Sequence, residues 1–172
     1  FQAVARSVNL PIILYNVVPW TYLSPQLLVR IMAEVPAVIG VKQSAGDMKL
    51  FADLMIMADP KNLIFSAVDA LMYPSYALGA HGSIAAILAA APGPSVALWD
   101  AVAAGDHKQA RDLHEKLLPL WNAMPHDYLP ACVKYAQSLQ GVDAGLSRAP
   151  MPMPNDTDKA NIRKALEGLG LI

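Results

Sequence analysis

Strand and helix patterns alternate four times in the first 94 residues, and this constrains the fold more than any other feature of the chain. Residues 10–17 (LPIILYNV) form a continuous apolar run of β-branched and aromatic residues entered through Pro11, the pattern of a strand buried on both faces of a parallel sheet. Ser24 and Pro25 then supply an N-cap and a proline at the first helical position, and Leu28, Ile31, Met32 and Val35 recur at helical spacing until Pro36. The cycle repeats with a short strand over 37–41 and a turn at Gly46 and Asp47. A helix carrying Leu50, Leu54 and Met57 on one side follows and closes at Asp59 and Pro60. Residues 62–68 (NLIFSAV) read as a third strand, 69–78 as a third helix, 79–82 as a turn and 83–88 as a fourth strand.

Beyond Pro94 the pattern is helical: 96–104, then 106 to about 124 with Ala110, Leu113, Leu117 and Leu120 as a stripe, then roughly 130–140. A Pro/Met-rich linker over 149–154 precedes a polar helix over about 156–169. Two regions are therefore expected, βα units over 1–94 and a helical extension over 95–172. Strand–helix alternation predicts an α/β fold with a parallel sheet, either doubly wound or a barrel, and no glycine fingerprint for a dinucleotide or a P-loop follows any strand. A (β/α)8 TIM barrel takes about 250 residues and eight strands, so four units with appended helices correspond to its C-terminal half, strands 5–8. Phe1 opens what reads as the last turns of a helix, so the sequence is expected to start mid-fold.

Composition narrows the function classes. With 13 Lys+Arg against 14 Asp+Glu the chain is nearly neutral, which argues against a nucleic-acid partner. The most apolar stretch, 84–92, falls far short of the roughly 20 residues of a membrane span, so no membrane partner is expected. A single cysteine, Cys132, precludes an intrachain disulfide, and four scattered histidines show no ligand spacing, so no metal site is expected. A reducing, cytoplasmic location fits these features best.

Two polar residues stand where apolar strands end: Tyr15 closes PIILY and Lys42 follows VIGV. In a parallel barrel all carboxyl ends open on the face that holds active sites, so adjacent strands would bring phenol and amine together. An amine with a pKa near 10.4 is protonated at neutral pH, and a low-dielectric barrel mouth would favour the nucleophilic neutral form. A phenol both donates and accepts, as a proton relay must. The pattern alone leaves the ordinary alternatives open, since such a lysine is more often a solvated loop residue and such a tyrosine a rim residue. Asn16 reads as a turn residue, Gln43 and Ser44 as residues that cap or solvate the next helix, Asp69 as an N-cap, and His81 as part of a turn.

The blocks ILYNVVPWT (13–21), GVKQSAGD (40–47), FSAVDAL (65–71) and GAHGSIA (79–85) resemble successive blocks of the dihydrodipicolinate synthase and N-acetylneuraminate lyase family, in the same order and with nearly the same spacing. The tail GVDAGLSRAP (141–150) is similar to that family's late glycine, arginine and proline stretch. The resemblance implies a class I aldolase or lyase in which Lys42 forms a Schiff base with pyruvate or another 2-oxo acid and Tyr15 relays protons. It further implies that Ser44, Ala67 and Ile84 line the substrate site, that an aldehyde is the second substrate, and that no cofactor is needed. A homotetramer built as a dimer of dimers is also implied.

The sequence departs from the family at two informative places. Members that make dihydrodipicolinate carry an arginine two residues after the proline of their tyrosine block, where this chain has Trp20, and indole cannot replace a bidentate guanidinium. That favours a more apolar acceptor aldehyde, or a 2-keto-3-deoxy sugar acid handled by an aldolase or dehydratase. The glycine of the third block is Ala67. The family's first four strands, with the loop that grips the pyruvate carboxylate, have no counterpart here, so a catalytically silent fragment or assembly module is a further expectation for the chain by itself.

Overall fold

A computed structural model describes all residues, Phe1–Ile172, and the chain divides into two compact units, Phe1–Ile84 and Ala85–Ile172. The first unit opens with a short helix, α1 (Gln2–Ser7), which buries none of its residues. Then β1 (Ile12–Asn16), α2 (Pro25–Glu34), β2 (Val38–Gln43), α3 (Met48–Met57) and β3 (Leu63–Ser66) alternate, followed by a 3-10 turn over Asp69–Leu71 and α4 (Met72–Ala77). The strands form one parallel sheet in the order β1-β2-β3. The expected cap of α2 operates as read, and Asp47, expected in a turn, instead caps α3. The Ser24 hydroxyl accepts from Leu27 N–H at 3.2 Å with Pro25 in the first turn, and the Asp47 carboxylate accepts from Lys49 N–H at 2.8 Å. Leu28, Ile31 and Met32 of α2 and Phe51 and Leu54 of α3 are buried, and α2 packs on both β2 and α3.

Three expectations are corrected. The strand over 10–17 is shorter and is not buried on both faces: Leu14 and Asn16 are buried, whereas Ile13 and Tyr15 are exposed, because helices cover only one side of the sheet in this unit. The fourth strand over 83–88 is reduced to a single parallel bridge, Ser66 to Ser83. Residues 81–84 do run beside β3, with hydrogen bonds from His81 N–H to Ile64 O, from Ser66 N–H to Gly82 O and from Ile84 N–H to Ser66 O, all between 2.8 and 3.0 Å. The alanine-rich stretch that follows favours helix, and α5 (Ile87–Ala90) forms there instead. Finally, Asp69 is buried inside the 3-10 turn, which Val68 precedes as N-cap, and Leu71 is the N-cap of α4, so Asp69 does not N-cap the helix after β3 as expected.

The second unit comprises α5, α6 (Pro92–Ala103), α7 (His107–Asn122), α8 (Leu129–Leu139) and α9 (Asp156–Gly168). Here α6 packs on α7, and α9 packs on both α7 and α8, around Leu98, Leu117, Leu120, Ile162 and Leu166, all essentially solvent-free. Asp106 and Asn155 cap α7 and α9 through side-chain acceptors. The Tyr128 phenol donates to the Asp158 carboxylate at 2.6 Å, and that contact pushes its pKa up to about 12. Cys132 is fully buried, which pushes its thiol up to about 11. No helix is long and apolar enough to cross a membrane.

Candidate active site

The parallel ladder aligns Tyr15 of β1 with Lys42 of β2 and with Phe65 of β3. In-register residues of a parallel sheet project from the same face, so the phenol, the amine and the phenyl ring form one row. The Lys42 ammonium lies over the Tyr15 ring, with Nζ 3.7 Å from the centroid. A cation in this position is attracted by the ring quadrupole, by roughly 0.5–1 kcal/mol where water has access. Tyr15 is 54% exposed and Lys42 is half-buried, on the face that no helix of this unit covers.

One residue further along each strand lies a second row, Asn16, Gln43 and Ser66, pointing to the opposite, buried side. Ser44 follows β2 directly, and its N–H donates to Asn16 O at 3.0 Å, which extends the ladder past the strand ends. Ala67 follows β3, and Ile84 donates its N–H to Ser66 O at 2.9 Å beside it. All five residues singled out from the sequence therefore lie at the carboxyl end of the sheet, with side-chain contact established between Tyr15 and Lys42. No cluster of three or more His, Cys, Asp or Glu side chains is placed to hold a metal ion.

The dihydrodipicolinate synthetase family pattern matches residues 1–169. The chain belongs to this family. It is 33% identical over its full length to the 4-hydroxy-tetrahydrodipicolinate synthase of Methanopyrus kandleri and spans 58% of that protein. It superposes with a TM-score of 0.88 and 33% identity on a crystal structure of dihydrodipicolinate synthase, covering 99% of this chain and 59% of the other. The structure of YagE, a prophage protein of the dihydrodipicolinic acid synthase family from E. coli K12 in complex with pyruvate, matches with a TM-score of 0.90 and 25% identity, covering 100% of this chain and 60% of YagE. The chain thus spans less than two thirds of the length of these relatives.

Within the family frame the structure adds residues that the sequence patterns left in other roles. The Ser66 hydroxyl donates to Ser75 Oγ at 3.0 Å, and the Tyr76 phenol donates to Ser83 Oγ at 2.8 Å, so α4 is fastened to the carboxyl ends of β3 and of the 81–84 segment. Burial raises the Tyr76 pKa, the Ser83 hydrogen bond opposes this, and the charge of Asp69 adds to the rise. His81, expected as a simple turn residue, accepts the Ile64 N–H at Nδ1 over 3.1 Å. Asn16, expected to fix a turn, does hold the loop after β1 through Leu23, but it is also buried and hydrogen-bonded to Gln43, which does not solvate a helix as expected. Their only sequence signal was position, each directly after a candidate catalytic residue. Trp20 stands in a 3-10 turn (Pro19–Thr21) and is 85% exposed.

Proposed function

We propose that the chain is the C-terminal half, strands 5–8, of a (β/α)8 barrel enzyme that condenses or cleaves 2-oxo acids through a Schiff base on Lys42. The observation that carries this reading is the Tyr15–Lys42 pair, aligned by the ladder and in contact on the uncovered face of the sheet. In the proposed reaction the Lys42 ammonium first gives up a proton to water, and the freed Nζ lone pair attacks the keto carbon of pyruvate. The carbonyl oxygen takes up a proton, and the resulting carbinolamine loses that oxygen as water to give a protonated imine. The imine is the electron sink for loss of a methyl proton, and the enamine carbon then attacks an aldehyde whose oxygen takes up a proton. Water hydrolyses the resulting imine to release the product and Lys42. Tyr15 is assigned the proton transfers into the carbinolamine and out with the leaving water, a role a phenol fills because it donates and accepts. Ser44 and the backbone at Ala67 and Ile84 would line the keto-acid site, since all three lie past the strand ends.

The pyruvate held by YagE supports pyruvate as the 2-oxo acid, and the aldehyde partner is carried over from the family resemblance. The homotetramer, a dimer of dimers, and a cytoplasmic location belong to the same proposal, and sedimentation of the full-length gene product reads the assembly. The test of the chemistry is intact-mass analysis of the full-length gene product after incubation with pyruvate and sodium borohydride. A reduced pyruvyl adduct on the unaltered protein and none on Lys42→Ala is the expected result. No adduct on the unaltered protein would sink the imine reading.

A further inference from the structure

We infer that Asn16 and Gln43 are positioning residues that hold Tyr15 and Lys42 in catalytic register, an inference that rests on the imine reading above. Successive residues of a strand point to opposite faces, so each amide sits back to back with one member of the pair: Asn16 behind Tyr15, Gln43 behind Lys42. Both are nearly solvent-free, at 3% and 4% exposure. Asn16 Nδ2 donates to Gln43 Oε1 at 3.1 Å and to Leu23 O at 3.1 Å, while Asn16 Oδ1 accepts from Leu23 N–H at 2.9 Å. Gln43 Oε1 also accepts from Ala45 N–H at 3.2 Å. Two side chains thus tie β1 to β2 and each strand to the loop that leaves it, one residue beyond the reacting pair.

The Gln43 amide is not a purely stabilising device. The other end of the Gln43 amide, Nε2, is buried without a hydrogen-bond partner, beside a small cavity lined in part by Ser66 and Ser75. An apolar side chain of the same shape would remove that orphaned donor but leave the Ala45 N–H and one Asn16 N–H unpaired, so Gln43→Met is expected to lower the thermal midpoint modestly while still folding. What the apolar side chain could not do is fix the relative placement of the two strand ends. A misplacement of about 1 Å between reacting groups costs on the order of 10²-fold in rate, and the exposed Tyr15–Lys42 face supplies no other side-chain hydrogen bond to hold it.

The test compares Gln43→Met, Gln43→Glu and Asn16→Asp in the full-length gene product. The readouts are the rate of borohydride-trapped adduct formation across pyruvate concentration and the thermal midpoint. Met keeps shape without an acceptor, Glu restores the acceptor, and Asp keeps the Leu23 acceptor but cannot donate to Gln43. Q43M and N16D are expected to fold, to lose about 10- to 100-fold in the saturated rate, and to need about the same pyruvate concentration for half-saturation. Q43E is expected to recover the rate to within about threefold of wild type. Folded Q43M with an unchanged rate, or Q43E as slow as Q43M, would overturn the inference while leaving the imine intact. Failure of both Q43M and N16D to fold would assign the amides to stability and overturn it as well. No adduct on the unaltered protein removes the imine reading and this inference with it.

Discussion

The two faces of the β1-β2-β3 sheet share a backbone and differ in every other respect. One face carries Leu14, Val41 and Ile64 in a single register row, each no more than 7% exposed and covered by helices. The next row on the other face is Tyr15, Lys42 and Phe65, with the tyrosine more than half exposed and the amine resting on its ring. The energy of folding this unit is concentrated on the first face and the pair proposed to react on the second. Because the side-chain period of a strand is two, a slip of one residue would exchange them, placing a lysine in the core and leucine in water. The Asn16–Gln43 hydrogen bond stands on the buried face, where low dielectric strengthens it, and guards against that slip at the end that matters for chemistry.

Substitutions can break this contrast in graded fashion. Lys42→Ala should abolish borohydride trapping of pyruvate entirely while leaving the thermal midpoint nearly unchanged, since the amine contributes little to packing. Tyr15→Phe keeps the ring under the ammonium and removes only the phenol. Adduct formation should slow by about 10²- to 10⁴-fold, and an unchanged rate in stopped-flow trapping would return Tyr15 to the status of a rim residue. On the covered face Ile64→Ala should cost about 2–5 kcal/mol in urea denaturation, because the helices cannot collapse fully into the space. Gly40→Ala should cost about 1–3 kcal/mol by the same measure, since an added Cβ would run into the Leu63 carbonyl of the neighbouring strand. Phe65→Ala, one residue from Ile64 on the uncovered face, should cost this chain less than about 1 kcal/mol. In the full-length gene product, where that face is proposed to become barrel interior, the Phe65 cost should rise toward the Ile64 value. Equal values in the two forms would count against the barrel.

Much of this was legible beforehand, for reasons that can be located. Ser24-Pro25 is a local start signal whose hydrogen bond spans three residues, and it acts as read, while Asp47, read as a turn residue, turns out to be an equally local cap. Lys42 and Tyr15 were visible because a polar group at the end of an apolar run is conspicuous in any context. The strand over 83–88 was misjudged because an apolar alanine-rich run satisfies strand and helix patterns alike. Asp69 was misjudged because its acidic side chain before a helix suits a cap as well as it suits a buried network. Asn16 and Gln43 were passed over because the bond that gives them a role joins residues 27 positions apart.

The sequence by itself determined the first three strand–helix alternations and the placement of a phenol and an amine at strand ends, which follow from periodicity and short-range chemistry. Its blocks carried the resemblance to the dihydrodipicolinate synthetase family that the family match bears out. The tertiary structure alone decided that Tyr15 and Lys42 share a register row, that one sheet face is covered and the other open, and that two amides lock the strand ends from behind. Register and burial are relations between distant segments, set by which surfaces the helices cover, and no local pattern encodes that choice.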